Sequence, residues 1–268
     1  MIRKPRILVV GIFVMDLIAS TKKAPNSGET VIGLNFRTAP GGKGANQAVQ
    51  CARLGANVTM VGRVGNDAYG RETVAAASAS GVDVSRVVVD AENPTGVSAI
   101  TLEITETGAH NRIVVCPGAN GAMTVEEISW IRDEVKNYDL VMLQFELPML
   151  INEAVARWAH EAGVPVIADI KRGDIAKTAE MYAKAHFTGD FEADIITLAP
   201  YMGLDSISPY LPYCAEQGKG VFVLCRTSNP GAKDFEYKKL DDGRHVYDLV
   251  GDSLTALGKD YMGEHGYS

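Results

Sequence analysis

Residues 139–169 read DLVMLQFELPMLINEAVARWAHEAGVPVIAD. Two apolar runs, DLVMLQF (139–145) and VPVIAD (164–169), bracket a stretch over 150–162 with helical spacing of its apolar residues. Continuous apolar runs suit strands buried on both faces, and a strand–helix–strand unit of this length makes a parallel pair with a right-handed crossover. The same rhythm extends outward in both directions. ILVVG (7–11), VTMVG (58–62), DIITLAP (194–200) and GVFVLC (220–225) read as further parallel strands. Helices are predicted over 44–54, 71–80, 125–136, 174–187 and 246–262. The fold class is therefore α/β, an open, doubly wound, mostly parallel sheet.

Two segments break the rhythm. TVIGLNFRT (30–38) and VSAITLEITETGAHNRIVVC (97–116) alternate apolar and polar residues with β-branched enrichment, as half-exposed antiparallel strands do. They predict a small β flap beside the main sheet, spanning about 12–40 and 95–117. Hydrophobic residues make up 46% of the 268 and charged residues 22%, with a formal charge of −7. That balance leaves no basic surface to neutralise nucleic-acid phosphates. No run reaches the roughly 18 apolar residues of a membrane span, and MIRKPRILVVG runs straight into a strand, so a cytoplasmic protein is expected. Cys51, Cys116, Cys214 and Cys225 are scattered without metal-like spacing and read as reduced residues.

Between the flap segments lies PGGKGANQA (40–48), leading into a helix. Adjacent glycines let backbone approach a ligand, although alone such a turn is equally a plain helix entry. It is followed in order by GRVGNDAYG (62–70), NRIVVCPGAN (111–120) and QFELP (144–148). This ordered set resembles the ribokinase, or PfkB-type, family of sugar kinases over residues 1–165. The resemblance implies that Asp16 binds sugar hydroxyls, that Gly42, Lys43 and Asn46 line the pocket, and that Glu146 closes it. Taken singly, Asp16 is a loop cap, Lys43 a solvated lysine, Asn46 a helix-start cap and Glu146 a surface charge. Val14, in GIFVMD, stands where the family usually has Asn, which leaves the sugar's identity open. The family's later half should carry Asn-x-x-Glu and Gly-Ala-Gly-Asp, and neither string occurs after residue 165.

From VPVIADIKRGDIAKTAEMYAKAHF (164–187) the sequence resembles orotidine-5′-phosphate decarboxylases. The likeness continues through ADIITLAPYMGLDSISPYL (193–211), GKGVFVLCRTSNPGAKDF (218–235) and HVYDLVGDSLTALGKDYMGEHGYS (245–268). It implies catalytic roles for Asp169, Lys171 and Asp174 in the D-x-K-x-x-D array. Ile175 and Thr178 would reach into a neighbouring subunit's site, and Ser228 would contact the pyrimidine. A lone DIKRGD is otherwise a strand end running into a helix whose first turn carries an acid. The barrel's opening strands are missing, and the chain stops at GYS, before the strands that grip phosphate in that family.

The two resemblances predict a hybrid: a sugar-binding part with flap over 1–165, and decarboxylase-derived βα units over 166–268 that continue the same sheet. The expectation is weak sugar binding without turnover and no metal. ATP and Mg enter only if kinase activity survives, with RTSNPGAK (226–233) as the one phosphate-friendly loop. A carbohydrate kinase is the first alternative, and decarboxylation at a homodimer interface the second.

Overall fold

A computed structural model describes residues 3–106, 108–189 and 191–262. In chain order its elements are β1 (Arg6–Val10), β2 (Val14–Thr21), β3 (Asn35–Gly41), α1 (Lys43–Arg53), β4 (Asn57–Gly65), α2 (Ala68–Ala79), β5 (Asp83–Asp90), β6 (Gly96–Thr105) and β7 (Gly108–Cys116). There follow α3 (Ile131–Glu134), β8 (Leu140–Gln144), α4 (Met149–Glu161), β9 (Val166–Arg172), α5 (Ala176–Phe187), β10 (Ile195–Leu198), α6 (Leu211–Gln217), β11 (Gly220–Val223) and α7 (Val246–Gly258). The strands form an open seven-stranded sheet, ordered β11-β10-β9-β8-β1-β4-β5, and a four-stranded sheet ordered β3-β2-β6-β7. The strands expected at 139–145, 164–169, 194–200 and 220–225 are thus neighbours in one sheet. The chain divides into two compact units, Met1–Ile167 and Ala168–Ser268.

In the first unit, β1 pairs in parallel with β4 and β8, and β4 with β5. Its core gathers Val9, Phe13, Ala48 and Met60, each fully buried, under α1 and α2. Asp67 caps α2 by accepting from the Gly70 N–H, and α2's buried face is small (Gly70, Thr73, Ala77). The flap is the four-stranded sheet. β2 runs antiparallel to β3 and parallel to β6, and β6 and β7 form a hairpin. Asn120 anchors the flap's base, accepting from Phe13 N–H at 3.1 Å and donating to the Phe13 carbonyl at 2.8 Å.

The second unit packs Ala179, Ala183 and Phe187 of α5 against Ile196, Leu198 and Tyr210. β10 and β11 pair in parallel. Phe187 meets the Tyr210 ring edge-on at 6.3 Å between centroids, a favoured aromatic geometry.

The structure corrects several expectations. A helix over 125–136 does not form; only Ile131–Glu134 is α-helical, flanked by turns. Ile128, Ile131 and Val135 do keep helical spacing and are fully buried, which explains the helical periodicity. But Glu127 ties back to Thr124 and across to Arg63, and its segment closes successive i→i+3 bonds. The flap strand expected from residue 30 starts at Asn35, where pairing with Ser20 of β2 begins; Ile32, ahead of it, is 94% accessible. β5 is a strand where none is predicted, and β2 lies inside the flap expected over about 12–40, ahead of the run predicted as its strand. β5 alternates exposed and covered residues at the sheet's edge, so it lacks the continuous apolar run of a central strand. The last helix ends at Gly258 rather than 262, and the end of the decarboxylase-like stretch, 263–268, lies outside the described residues.

Candidate functional site

Asp16 sits on β2 opposite Ala39 of β3 and Ser98 of β6. Burial lifts its pKa above the ordinary carboxylate value, against the opposing Ser98 hydrogen bond and the charge of Arg37. The chain then turns at Gly41 and Gly42 into α1. A Cβ on Gly41 would lie 2.7 Å from Asp16 Oδ2, so the carboxylate rests against that backbone. Gly42 has φ +101, and a Cβ there would stand 2.5 Å from the Ile12 carbonyl oxygen. Only glycine adopts this conformation without strain. Lys43, the next residue, reaches Glu146 just past the end of β8, with Nζ 2.6 Å from Oε1. The other carboxylate oxygen, Oε2, is buried without a partner.

Asp16, Gly42, Lys43 and Glu146 are therefore joined through three consecutive residues, 41–43. Asn46 differs. It is exposed on α1 and lines a groove with α2 residues, in which neither Asp16, Lys43 nor Glu146 takes part. Val14 is buried at 3% accessibility and offers the site no polar atom. Sequence reasoning missed Gln144, which lies against Gly11 and Gly44 and donates from Nε2 to Gln47 Oε1 at 2.5 Å. It also missed Ser98 and Arg37, whose cross-strand placement gives no local signal.

In the second unit, Lys171 Nζ contacts both Asp169 oxygens, at 2.6 and 2.5 Å. Thr197 Oγ1 donates to Asp169 Oδ1 at 2.9 Å and accepts from the Lys171 N–H at 2.7 Å. Thr197 lies inside an apolar strand, and nothing in the sequence marks it. Lys171 holds φ +49, an uncommon conformation for a side-chain-bearing residue. Asp174 Oδ1 accepts from the next N–H, that of Ile175, at 2.8 Å. Ile175, Thr178 and Ser228 are all exposed. Arg172 Nε donates to His186 Nε2 at 3.1 Å and its guanidinium lies 5.0 Å from the Tyr182 ring centroid. Burial, with the Arg172 charge added, pulls His186 down to about 4.

The 226–233 loop is held from inside. Glu236, buried at 7% accessibility, accepts from the Thr227 N–H at 2.7 Å and its hydroxyl at 2.8 Å. Thr227 also contacts Asn229 Oδ1 at 2.5 Å. The carboxylate thus takes both donors of Thr227, while Arg226, Ser228, Asn229 and Lys233 of the same loop are exposed.

An open, mostly parallel seven-stranded α/β sheet with a small four-stranded sheet beside it is a ribokinase-like layout. The sequence profile of the pfkB family carbohydrate kinases matches residues 4–229, and the chain belongs to that family. A ribokinase of Arabidopsis thaliana, solved with ribose and ATP, superposes with a TM-score of 0.66 at 28% identity, covering 82% of this chain and 72% of that one. A Thermotoga maritima ribokinase shares the fold, with a TM-score of 0.61 at 23% identity over 95% of this chain and 86% of its own. Curated relatives point elsewhere. An orotidine 5′-phosphate decarboxylase of Clostridium perfringens (strain SM101) is 65% identical over 111 residues, which are 41% of this chain and 39% of that protein. The corresponding Clostridium acetobutylicum enzyme is 48% identical over 145 residues, 54% of this chain and 50% of its own. The chain thus spans between 39% and 50% of these two relatives.

Proposed function

We propose that this protein is a fold hybrid that binds a sugar weakly in the first unit and turns over neither kinase nor decarboxylase substrates. The observation that carries the reading is the Lys43–Glu146 pair, whose second carboxylate oxygen is buried without a donor. With Asp16 resting on the adjoining glycine turn, the cluster offers acceptor oxygens and one ammonium, which suit vicinal hydroxyls. The pair is partly exposed, with side chains 58% and 26% accessible, so it is worth under about 1 kcal/mol to stability. Its value lies in positioning.

Against turnover stands the composition of the later half. Neither Asn-x-x-Glu nor Gly-Ala-Gly-Asp follows residue 165, and Glu236 already takes both donors of Thr227 in the 226–233 loop. A base and a donor array for the transferring phosphoryl group have no supplier. Asp169, Lys171 and Asp174 stay as an acid–base remnant, and Ile175, Thr178 and Ser228 as an exposed remnant of the nucleotide face. The competing reading is an ATP-dependent carbohydrate kinase, favoured by the family profile reaching residue 229.

Thermal melting with ribose, with ATP–Mg²⁺ and with uridine monophosphate separates these readings, because a ligand that binds only the native state raises Tm. A rise with ribose alone is expected, together with no ADP release in a coupled assay across pentoses and hexoses. ADP release that depends on a sugar establishes the kinase instead.

A further inference from the structure

The groove that takes Asn46 lies between α1 and α2 and shares Gly41 with the Asp16–Glu146 cluster, but none of that cluster's charged side chains lines it. It encloses about 330 Å³ and is lined by Pro40, Gly41, Asn46 and Arg53 on one side and by Thr73 and Ser80 on the other, over a floor of alanines and Val49. That volume is at the lower end of small-molecule sites. The space exists for a simple reason. Residues 73, 76, 77 and 80 share one face of α2 at helical spacing, and all four are small (Thr, Ala, Ala, Ser). On α1, Asn46 and Arg53 stand two turns apart on the facing side.

The chemistry of the groove is one-sided. Among the described residues, neither the Arg53 guanidinium nor the Asn46 amide has a side-chain partner. Thr73 Oγ1 already donates to the Tyr69 carbonyl at 2.9 Å, and Ser80 Oγ to that of Ala76 at 3.1 Å. Both hydroxyls therefore have only lone pairs left to offer a ligand. A fitting ligand carries an anion at the Arg53 end and hydroxyl donors along the α2 wall, on a body of a few carbons. We propose that the α1–α2 groove is a binding site for a small polyhydroxylated anion, a sugar acid or a short polyol phosphate.

The bidentate fork of Arg53 suits carboxylate and phosphate alike, so two probes separate the sources: gluconate and glycerol 3-phosphate. Sorbitol, which matches gluconate in length without its charge, is the control. Calorimetric titration of the whole chain is expected to show saturable binding of at least one anion, with sorbitol at least tenfold weaker. Arg53→Gln, on an exposed position, should weaken that anion at least tenfold. Ala76→Leu, which keeps the charge and fills the groove, should abolish binding while melting stays cooperative. Asp16→Asn should leave anion binding intact, so loss of the sugar site and loss of this site are read separately. No saturable binding of either anion, equal binding of sorbitol, or binding that survives both groove variants overturns the assignment.

Discussion

A methyl group on Gly41 would stand 2.7 Å from Asp16 Oδ2, whereas one on Gly42 would meet the Ile12 carbonyl, which is fixed backbone. The side chain can move aside and the backbone cannot. Gly41→Ala is therefore expected to cost about 1 kcal/mol and to abolish the ribose-induced rise in Tm. Gly42→Ala, with φ +101 in addition, should cost roughly 2–4 kcal/mol in denaturant melts. Equal costs, or ribose binding retained in Gly41→Ala, would show that the turn does not shape the Asp16 site. Lys171 offers a second test. Its φ of +49 favours glycine, while its pair with Asp169 is half exposed at the lysine, 46% accessible. Removing the pair costs little. Lys171→Gly and Lys171→Ala both remove it, yet only glycine relieves the backbone, so the glycine variant should be the more stable by about 0.5–1 kcal/mol. The reverse order would mean that the left-handed conformation carries no strain. Of these features the glycine pair at 41–42 was legible in sequence, and the resemblance put Asp16 beside it; the Asp16–Gly41 contact itself needed the register of β2 against β3.

Helix α5 shows how an element can carry a pH response. His186 lies near its end, 7% accessible, with Arg172 donating to it from the end of β9. A histidine held at about 4 in the fold, against about 6.5 unfolded, takes up a proton more readily when unfolded. Its contribution to stability is complete above pH 6.5 and is lost as pH falls from 6.5 towards 4. The ceiling is about 3 kcal/mol, from 1.36 kcal/mol per unit. Melts between pH 7 and 5 should show a downward slope that His186→Gln reduces; an unchanged slope would place the response elsewhere. The helix itself was legible from its apolar spacing. The Arg172–His186 contact needed β9 and α5 to be packed together, and no motif announces it.

For the molecule as a whole, the Asp169–Lys171 array offers the sharper test of the proposed inactivity. Asp169, Lys171 and Thr197 form a local network, but electrostatic stabilisation of a transition state needs every charge of the array in place. Orotidine monophosphate should keep its ultraviolet absorbance at high protein concentration, and Lys171→Ala should alter melting alone. Turnover that vanishes in that variant would show a rebuilt site. The sequence by itself determined the α/β class, the main parallel strands and the two likenesses, since hydrophobic period and turn residues act over a few positions. It could not determine β5, whose mixed residues look like loop until the sheet edge gives them a partner, nor that β2 opens the flap ahead of residue 30. Nor could it separate Asn46 from Asp16, Lys43 and Glu146, because a helix face is chosen by what packs against it. Tertiary structure alone decided the orphaned oxygen of Glu146, the Thr227–Glu236 contact and the groove beside Arg53. Each depends on a distance between residues that chain order does not constrain.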